Sequence, residues 1–515
     1  MRPVASAIGI DIGTTNLKVA LVADDASVIG AAKRPLAVRH GPGTAEQDAD
    51  EMWNELVSAV REVTAAHPAA AAGVVALAVC SQYSSIVPVD ANAKPVAPML
   101  MWQDHRGTDH SFEIMSRDER AFMAFVERHG IPPIGSGLSL GHILHFQIDR
   151  PDVHAATRAY VEAMDYATAR LTGRIVASQH TSFMVQCCDN RALGATTYDD
   201  ELVAMAGVDA SRLPPLIRVD DAVGPLLSEI ASTLGLPDSV LVYAPTNDTA
   251  AVAVATGAFT EGRAGLAIGT TSVLVDAVGE FRTDLEHQIL SMPGPYADRY
   301  VVCAENGLGG KLLEHVLERV VYAGDALGDH RVDDAYARLD AALGATEAGA
   351  GGVMFLPWLG GSLAPVASGS IRGGFVHMSL ETGRADLVRA VVEGVGHNLG
   401  WLLPYVETFT GEDIREIVFV GGAARSAQWC QVLADVLGRR VSPLADPDGG
   451  AARAMALLAL ERHGVCSRAD LDRAATATTA AFEPDPARHD RYAYRQVQFE
   501  AAHAALLPIS EALST

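Results

Sequence analysis

The sequence predicts an α/β fold made of two duplicated halves around a central cleft. The first reason is a repeat, because an apolar strand, Gly-Thr-Thr and a second apolar strand occur at 8–22 and again at 264–275. Repetition of one unit half a chain apart is typical of a duplicated fold. The second reason is that strand and helix patterns alternate through both halves. The third is that 515 residues are too many for one compact core. We therefore predict domains at 1–243 and 244–515.

Composition and charge narrow the classes of partner. Apolar residues make up 49% of the chain and charged residues 20%, which is typical of a soluble globular protein. The formal net charge of −24 argues against a nucleic-acid partner, which needs a basic face, and favours a role in solubility. The sequence lacks a long apolar run, so no membrane partner is expected. The six cysteines follow no Cys-x-x-Cys pattern and no signal segment opens the chain, which predicts reduced thiols in the cytoplasm.

The first repeat unit carries an acidic residue inside an apolar strand. Asp11 lies in that strand, where an unpaired carboxylate would be costly. The following turn offers Gly13, Thr14 and Thr15, whose amide and hydroxyl groups could converge on an anion. A carboxylate beside an anion cradle indicates a phosphate bridged by a metal ion. The alternative is an ordinary hairpin whose aspartate caps its own turn.

The second repeat unit changes the balance between these alternatives. Gly269, Thr270 and Thr271 repeat the turn, whereas Ala267 stands where the first unit has Asp11. Two such turns, each between apolar strands, favour paired phosphate loops that face one cleft. Only the first of the two loops would then hold a metal ion.

Polar residues follow two of the predicted strands, and the second group suits a sugar or polyol. Gln82, Tyr83 and Ser84 follow a buried strand, and ligands of open α/β sheets bind at such ends. Trp102 and Asp104 follow another apolar strand, within the segment Trp-Gln-Asp-His-Arg. An indole face packs on C–H groups while charged groups bind hydroxyls. The alternative is a surface Asp–Arg pair beside a core tryptophan.

Two further strand–helix junctions carry residues of possible chemical use. Asp248 stands where a strand ends and a helix rich in small residues begins, followed by Thr249. Its alternative role is that of a helix N-cap. Gly421, Gly422 and Ala423 form another junction, where a flat ligand or a phosphate can approach the backbone.

Three familiar motifs are absent or misplaced. The segment Gly-Leu-Ser-Leu-Gly around Ser139 matches a hydrolase nucleophile elbow, but poor strand sequence precedes it. We expect Ser139 to cap a helix instead. The chain contains no G-x-x-x-x-G-K-[ST] sequence, so it is not a P-loop enzyme. The 17 histidines show no His-x-x-x-His or His-Glu-x-x-His pattern, which argues against a zinc site.

Taken in order, these segments resemble the FGGY family of carbohydrate kinases, within the actin-like ATPase superfamily. The resemblance runs from Ile8 to about Tyr494. It is carried by Ile-Gly-Ile-Asp-Ile-Gly-Thr-Thr, Trp-Gln-Asp-His-Arg, Asp-Tyr followed by Leu-Thr-Gly, Asn-Asp-Thr-Ala-Ala, Ile-Gly-Thr-Thr-Ser, Glu-Gly-Val and Gly-Gly-Ala-Ala-Arg-Ser. The family implies two actin/ribonuclease H-like domains, each with a mixed five-stranded sheet and flanking helices. The first would hold the sugar site and the first phosphate loop; the second would hold the other phosphate loop, the adenosine site and a helical tail.

The resemblance also implies a reaction and residue roles. The reaction is ATP-dependent phosphorylation of a sugar or polyol hydroxyl with Mg²⁺ bound at Asp11, and Asp248 would be the catalytic base. The ATP-binding residues it implies are Gly13, Thr14, Thr15, Gly269, Thr270, Thr271, Gly309, Gly310, Gly421, Gly422 and Ala423. The substrate-binding residues it implies are Gln82, Tyr83, Ser84, Trp102, Asp104 and Thr249. Dimers occur in the family, so a homodimer is an expectation.

Departures from the family pattern lie on the sugar side. Tyr83-Ser84 replaces the Met-His pair common in xylulokinases and the Arg-Glu pair of glycerol kinases, and neither residue is charged. Thr249 stands where many members have Asn or Gln, and 361–365 departs from the usual G-E-R-x-P loop. The expected substrate is a neutral ketopentose such as xylulose, with a tetritol or pentitol such as erythritol or xylitol, or glycerol, as alternatives. A nucleotide switch of the actin or Hsp70 type, without a small substrate, is the rival from another class.

Overall fold

The computed structural model describes residues 5–475, 478 and 480–514. Fourteen strands precede residue 250: β1 Ser6–Ile12, β2 Asn16–Ala23, β3 Val28–Pro35, β4 Arg39–Gly41, β5 Thr44–Gln47, β6 Val74–Ser81, β7 Ile86–Val89, β8 Met99–Leu100, β9 Ala159–Glu162, β10 Ala177–Ser178, β11 Leu216–Ile217, β12 Ala222–Pro225, β13 Leu241–Tyr243 and β14 Thr246–Asn247. The later strands are β15 Arg263–Ile268, β16 Thr271–Val278, β17 Thr283–Asp284, β18 Ile289–Pro293, β19 Tyr300–Leu308, β20 Gly324–Asp325, β21 Gly328–Asp329, β22 Met354–Leu356, β23 Gly374–Val376, β24 Glu416–Val420 and β25 Arg440–Pro443.

Helices cover the sheets and form the end of the chain. In the first half they are α1 Ala49–Ala66, α2 Pro68–Ala71, α3 Thr108–Arg117, α4 Ala121–Arg128, α5 Ser139–Asp149, α6 Pro151–Ala156, α7 Ala163–Thr172 and α8 Asp200–Ala206, followed by α9 Ser228–Leu234. The later helices are α10 Asp248–Thr256, α11 Gly310–Val316, α12 Ala335–Gly344, α13 Arg384–Thr410, α14 Ala427–Leu437, α15 Gly450–Arg462, α16 Arg468–Ala475 and α17 Pro486–Leu513. Among the described residues no helix has the length and apolarity needed to cross a membrane.

The two central sheets repeat one topology. The first has the order β12-β13-β6-β1-β2-β3, with β14 also paired to β6, and the second has the order β17-β18-β19-β16-β15-β24-β25. In each, a three-stranded antiparallel meander is extended by two parallel strands, namely β3-β2-β1-β6-β13 and β19-β16-β15-β24-β25. The predicted α/β fold with two duplicated sheet domains is therefore confirmed.

The strand count of each sheet differs from the sequence prediction. Each central sheet has seven strands rather than five, because short strands add to the duplicated five. In the first sheet the additions are β12 and β14, and in the second they are β17 and β18. Strands of two to five residues are too short for periodicity in the sequence to reveal them. A separate five-stranded sheet, β4-β5-β8-β7-β9, adds further structure to the first half.

Helix α15 from the second half of the sequence packs directly on the first central sheet. A Cβ at Gly9 would lie 1.8 Å from the carbonyl oxygen of Ala452 and 2.4 Å from the amide nitrogen of Ala456. Only glycine allows so close an approach. Small buried side chains of α10, α15, β1 and β6 form an apolar cluster at this contact. The contact fixes the strand that carries Asp11 against the second half, while the boundary at 243/244 stays a prediction.

Candidate active site

The parallel strands of the first sheet bring Asp11 and Asp248 to one edge. Asp11 pairs with Cys80 on β6, and Cys80 pairs with Thr246 on β14, two residues before Asp248. These strands run parallel, so their carboxyl ends lie together, as ligand sites of α/β sheets do. Gln82 follows the same edge, directly after β6. Candidates that lie far apart in the sequence therefore share one place in the fold.

Asp11 is a buried carboxylate with a cationic neighbour. It is 6% exposed, and its Oδ2 accepts a hydrogen bond of 3.1 Å from Nζ of Lys18 on the paired strand β2. The Cys80 thiol lies 3.7 Å from its Oδ1. The turn beyond it is closed by the Gly13 amide, which donates to the carbonyl of Asn16 over 2.9 Å. Asp11 therefore bonds Lys18 on the next strand and does not cap its own turn.

Asp248 begins α10 without acting as its cap. The N-cap is Asn247, whose side-chain oxygen accepts a 2.8 Å hydrogen bond from the amide of Ala250. The carboxylate of Asp248 is therefore not used to cap the helix. The backbone amide of Asn247 donates to Nε2 of His180 over 3.0 Å. The Nδ1–H of His180 in turn donates to the carbonyl of Pro293. The alternative role of Asp248 as the N-cap is wrong in this structure.

Burial and neighbouring carboxylates raise the pKa of Asp248. Burial has the largest effect, the charge of Asp11 comes next, and Glu305 adds to it, so that the pKa reaches about 7. Glu305 lies on β19 of the second sheet, is exposed to solvent, and has no ion pair among the described residues. A base with a pKa near neutrality can both accept and release a proton at physiological pH.

Tyr83 is the neighbour of Thr249 in the candidate sugar pocket. Burial is the main cause that raises the pKa of the Tyr83 phenol well above its usual range, and the carboxylates of Asp248 and Glu305 contribute. A hydrogen bond with Thr249 acts in the opposite direction. The phenol therefore stays protonated and can donate to an oxygen. The structure thus brings Tyr83, Thr249 and Asp248 together, as the sequence predicts.

A buried network under the pocket holds the turn that carries Gln82 and Ser84. The Glu162 carboxylate accepts from the Ser85 amide over 2.9 Å and from the Ser139 hydroxyl. The Ser85 hydroxyl donates to Oε1 of Gln82 over 2.6 Å. The Ser84 φ of +59° lies in the left-handed region, a strained conformation that this network stabilises. Burial raises the pKa of Glu162 to about 7, against the hydrogen bonds from Ser139 and Ser85.

Two predictions about this network have different outcomes. The predicted capping role of Ser139 is wrong, because Leu138 is the N-cap of α5 and the Ser139 hydroxyl bonds to Glu162 instead. The rejection of a nucleophile elbow agrees with the structure, in which no strand leads into α5. Glu162 itself was not singled out from the sequence, since a glutamate at the end of a short strand carries no distinguishing pattern.

Trp102 and Asp104 lie near the Gly-Thr-Thr turn of the first repeat unit. The Trp102 side chain is 39% exposed, and its Nε1 donates to Oγ1 of Thr14 over 3.1 Å. Asp104 is 0% exposed and accepts from the Ala45 amide at 2.9 Å and from Arg106 at 2.7 Å. The Asp–Arg pair of the alternative is present, but Asp104 is buried rather than at the surface, and Trp102 is partly exposed rather than in the core. A direct contact of Asp104 with a sugar would need that pair to open, so its predicted role remains untested.

The Gly-Thr-Thr turn of the second repeat unit is fixed by neighbouring glycines. The Gly310 amide donates to the carbonyl of Gly269 over 2.8 Å, and the Gly309 amide donates to the carbonyl of Thr270 over 2.9 Å. Gly421 has a φ of +97°, and a Cβ there would lie 2.5 Å from the carbonyl oxygen of Ile268. These contacts bring the ends of β15 and β24 together with the start of α11. Thr271, Gly309 and Gly421 thus support the loop through the backbone.

A cavity of about 530 Å³ opens beside this loop. It is lined by the predicted residues Gly269, Thr270, Gly310, Gly422 and Ala423. It is also lined by residues that were not predicted to bind ATP: Ile268, Lys311, Leu313, Glu314, Tyr336, Leu339, Asp340, Arg425, Ser426, Trp429 and Asp448. Gly13, Thr14 and Thr15 belong to the loop of the first sheet and do not line it. Arg425 and Ser426 belong to the Gly-Gly-Ala-Ala-Arg-Ser turn, so the sequence pattern could have indicated these two residues.

The cavity contains a buried donor without a partner. Nε1 of Trp429 forms no hydrogen bond in the described part of the chain, although the residue is 2% exposed. A buried polar atom left unsatisfied is costly, so this donor is suited to an acceptor on a bound molecule. Asp448, which also lines this cavity, forms an ion pair with Arg425 and lines a second cavity beside Lys18.

Comparisons with known proteins match the chain to a described family. Residues 6–255 match the FGGY family of carbohydrate kinases, N-terminal domain, and residues 265–461 match the C-terminal domain of that family. The xylulose kinase of Bacillus subtilis is 24% identical over 457 residues, covering 88% of this chain and 87% of that protein. The gluconokinase of the same organism is 23% identical over 434 residues, covering 83% and 82%. The crystal structure of a xyloylose kinase from Brucella ovis superposes with a TM-score of 0.85 at 26% identity, covering 98% of this chain and all of the other.

Proposed function

Because the chain belongs to the FGGY family of carbohydrate kinases, we propose that it transfers the γ-phosphoryl group of ATP to a hydroxyl of a neutral sugar or polyol. Xylulose is the first candidate substrate. That the protein is a carbohydrate kinase follows from the family, whose domains match most of the chain. The identity of the acceptor and the residue roles are the proposal. The observation that carries it is the Asp248 carboxylate, which is free of capping and lies at the same sheet edge as Asp11.

The nucleotide is proposed to occupy the 530 Å³ cavity. Its adenosine would lie between Tyr336, Trp429 and the turn that contains Gly422. The unsatisfied Trp429 Nε1 supports an acceptor atom of the ligand there. The β- and γ-phosphates would extend toward Gly269 and Thr270 and, from the other sheet, toward Thr14. Phosphoryl transfer depends mainly on such positioning and on charge stabilisation.

The sugar is proposed to bind between Tyr83, Thr249 and the indole of Trp102. Tyr83 would donate to one hydroxyl, while Trp102 packs on C–H groups and ties the sugar wall to Thr14. Asp248 would accept the proton of the reacting hydroxyl. At the same time the oxygen of that hydroxyl would form the new P–O bond, and the bond between the γ-phosphorus and ADP would break. Asp104 would hold Arg106 and the loop of Trp102 in place.

The residues around Asp11 suit a divalent cation, and we propose Mg²⁺. Asp11 supplies a hard oxygen ligand, and its charge opposes ionisation of Asp248, so a cation between them would relieve that repulsion. When bound with ATP, Mg²⁺ supplies charge neutralisation for the phosphates. Asp11 would hold it, and Lys18 would keep the Asp11 side chain oriented. Ionisation of Asp248 would then become easier in the loaded enzyme.

The charges of the pocket favour a neutral acceptor. Asp11, Asp248 and Glu305 act on the same pocket, and no cation pairs with Glu305 in the described chain. An anionic sugar such as gluconate would be repelled by these carboxylates, of which only Asp11 has a cationic partner among the described residues. This observation supports a ketopentose or polyol over the substrate named for the gluconokinase relative. Neutral tetritols, pentitols and glycerol are alternative acceptors, which the assay below compares with xylulose.

A coupled ADP-release assay tests the proposal directly. The purified chain with Mg²⁺ and ATP is offered xylulose, other ketoses, aldoses, erythritol, xylitol, glycerol and gluconate. We expect one neutral substrate to stimulate ADP release far above the basal rate and to yield a sugar phosphate. ATP hydrolysis that none of these compounds stimulates would instead support a nucleotide switch. Preference for gluconate would overturn the argument from pocket charge.

A further inference from the structure

Three potential metal ligands meet on the surface of the first half, away from the candidate active site. His110 on α3 and His145 and Asp149 on α5 place their ligand atoms within 4.8 Å of one another. Nε2 of His110 lies 2.7 Å from Oδ2 of Asp149, and Nδ1 of His145 lies 2.8 Å from the same oxygen. We propose that this cluster binds a divalent transition-metal ion, with Zn²⁺ as the reference ion.

The ligand types favour that class of ion. Two imidazoles and one carboxylate suit Zn²⁺, Co²⁺ and similar ions, whereas Mg²⁺ and Ca²⁺ prefer ligands that are all oxygen. In the structure both imidazoles share one oxygen of Asp149, an arrangement in which a cation can replace the shared protons. The His110 and His145 side chains are only 15% and 12% exposed, while Asp149 is 43% exposed at the rim. Solvent can therefore complete the coordination from the side of Asp149.

An unsatisfied atom provides a second, independent observation. Nδ1 of His110 is buried and forms no hydrogen bond within the described residues, with the carboxylate of Glu113 3.9 Å away. Histidines that ligate metal usually have the other ring nitrogen oriented by a carboxylate or carbonyl. A small movement of the exposed Glu113 would supply that partner. The cluster thus offers three ligands and one group suited to orient a ligand.

The scaffold beneath the cluster is closely packed. A Cβ at Gly107, just before α3, would lie 2.1 Å from the carbonyl oxygen of Gly141 on α5. A Cβ at Gly141 would lie 2.7 Å from Oγ of Ser111. His110 and His145 follow these glycines by three and four residues, on helices held in backbone contact. A bound ion would therefore bridge two preorganised helices and stabilise the fold.

Sequence spacing could not reveal this cluster. His145 and Asp149 are four residues apart on α5, but His110 comes from another helix, so no His-x-x-x-His pattern exists. The same α5 also places His142 near the sugar wall, with its Nε2 3.2 Å from the carbonyl of Asp104. The proposed ion would thus stabilise a helix that supports the loop of Trp102, without touching the reacting groups.

Binding is tested on the untagged full chain after removal of metals with a chelator, without nucleotide or Mg²⁺. Co²⁺ is titrated as a spectroscopic probe, and Zn²⁺ is followed by calorimetry and thermal unfolding. We expect one ion per chain, visible Co²⁺ absorption typical of nitrogen and oxygen ligands, and a higher Tm with Zn²⁺. Asp149→Asn and His145→Ala should each weaken binding by tenfold or more. Asp149 lies at the rim, so Asp149→Asn should fold normally.

Two control variants separate this site from other sites. Asp152→Asn removes an exposed carboxylate on the adjacent helix α6 and should leave the affinity unchanged. Asp11→Asn should also retain the ion, because Asp11 belongs to the candidate active site. A wild-type chain that binds no Co²⁺ would overturn the proposal. So would equal stoichiometry and affinity in the wild type and Asp149→Asn.

Discussion

Nε2 of the His180 imidazole accepts a hydrogen bond of 3.0 Å from the backbone amide of Asn247, the residue before Asp248. Burial lowers the His180 pKa to about 4, so the ring is neutral at physiological pH and its Nδ1–H donates to Pro293. The start of α10 is therefore held by a group that does not titrate in the working range. His180 acts as a positioning residue for the proposed base.

Replacement of His180 tests that role. His180→Ala leaves the Asn247 amide and the Pro293 carbonyl without partners, at a cost of about 1–3 kcal/mol for each buried group. We expect a lower Tm and a fall in kcat with little change in the KM for ATP. His180→Gln, which offers both an acceptor and a donor, should recover part of kcat. Loss of stability with an unchanged kcat would limit His180 to a purely structural role.

Glu305→Gln tests the influence of pocket charge on the base. Burial, Asp11 and Glu305 all raise the pKa of Asp248, so removal of the Glu305 charge should lower it. Because the base must be ionised, the rise of kcat/KM with pH should move toward lower pH. The exposed Glu286→Gln serves as a control and should leave the profile unchanged. An unshifted profile in Glu305→Gln would remove Glu305 from the pocket.

The same variant tests substrate choice. With one carboxylate fewer, the discrimination against gluconate relative to the neutral substrate should weaken severalfold, because repulsion between like charges falls. The ratio of kcat/KM values for the two acceptors measures this change. An unchanged ratio would show that contacts other than charge exclude the acid.

Asp11→Asn tests the proposed metal ligand. Loss of the carboxylate should raise the Mg²⁺ concentration needed for half-maximal activity by about tenfold or more, equivalent to about 1.4 kcal/mol. Steady-state rates measured over a range of Mg²⁺ at fixed ATP report this value. An unchanged magnesium requirement would contradict the assignment of Asp11.

Asp276 predicts how stability depends on pH. This residue of β16 is 4% exposed, and burial raises its pKa to about 8 from an ordinary value of 3.8. The folded state thus binds the proton of Asp276 more tightly than the unfolded state does. The stabilisation of the folded state by this proton is complete below about pH 4 and is lost as pH rises through about 8. Asp276→Asn should reduce that loss and stabilise the chain at pH 8 by at least about 1 kcal/mol. Chemical unfolding at pH 5 and pH 8 measures it; equal pH dependence in both proteins would contradict it.

Much of the fold followed from local sequence patterns, and the exceptions have physical causes. The repeated strand–Gly-Thr-Thr–strand unit predicted the two β1–β2-like hairpins, and the apolar runs predicted the central strands. The short edge strands β14 and β17 carry no such pattern, since two residues cannot show periodicity. Their pairing depends on tertiary contacts that only the folded chain provides.

The candidate site also contains residues that the sequence identified and residues that only the folded structure reveals. Asp248 was recognisable because a strand end and a helix start coincide there, whereas the N-cap role of Asn247 depended on which side chain reaches Ala250. Glu305 and Glu162 lie on strands far from Asp248 in sequence, so neither could be assigned to the pocket without the fold. Asp104 shows the limit of motif reasoning, since its carboxylate bonds Arg106 within the very segment that suggested a ligand contact.

The central claim is that Asp248 accepts the proton of the substrate hydroxyl, and Asp248→Asn measures it most directly. Sugar-dependent ADP release is compared in the wild type and the variant, together with ATP affinity determined by calorimetry. Loss of a positioned general base lowers rates by about 10²–10⁴-fold, so we predict a fall in kcat of that size. ATP affinity should change little, because Asp248 does not line the nucleotide cavity. Turnover like that of the wild type in Asp248→Asn would contradict the account.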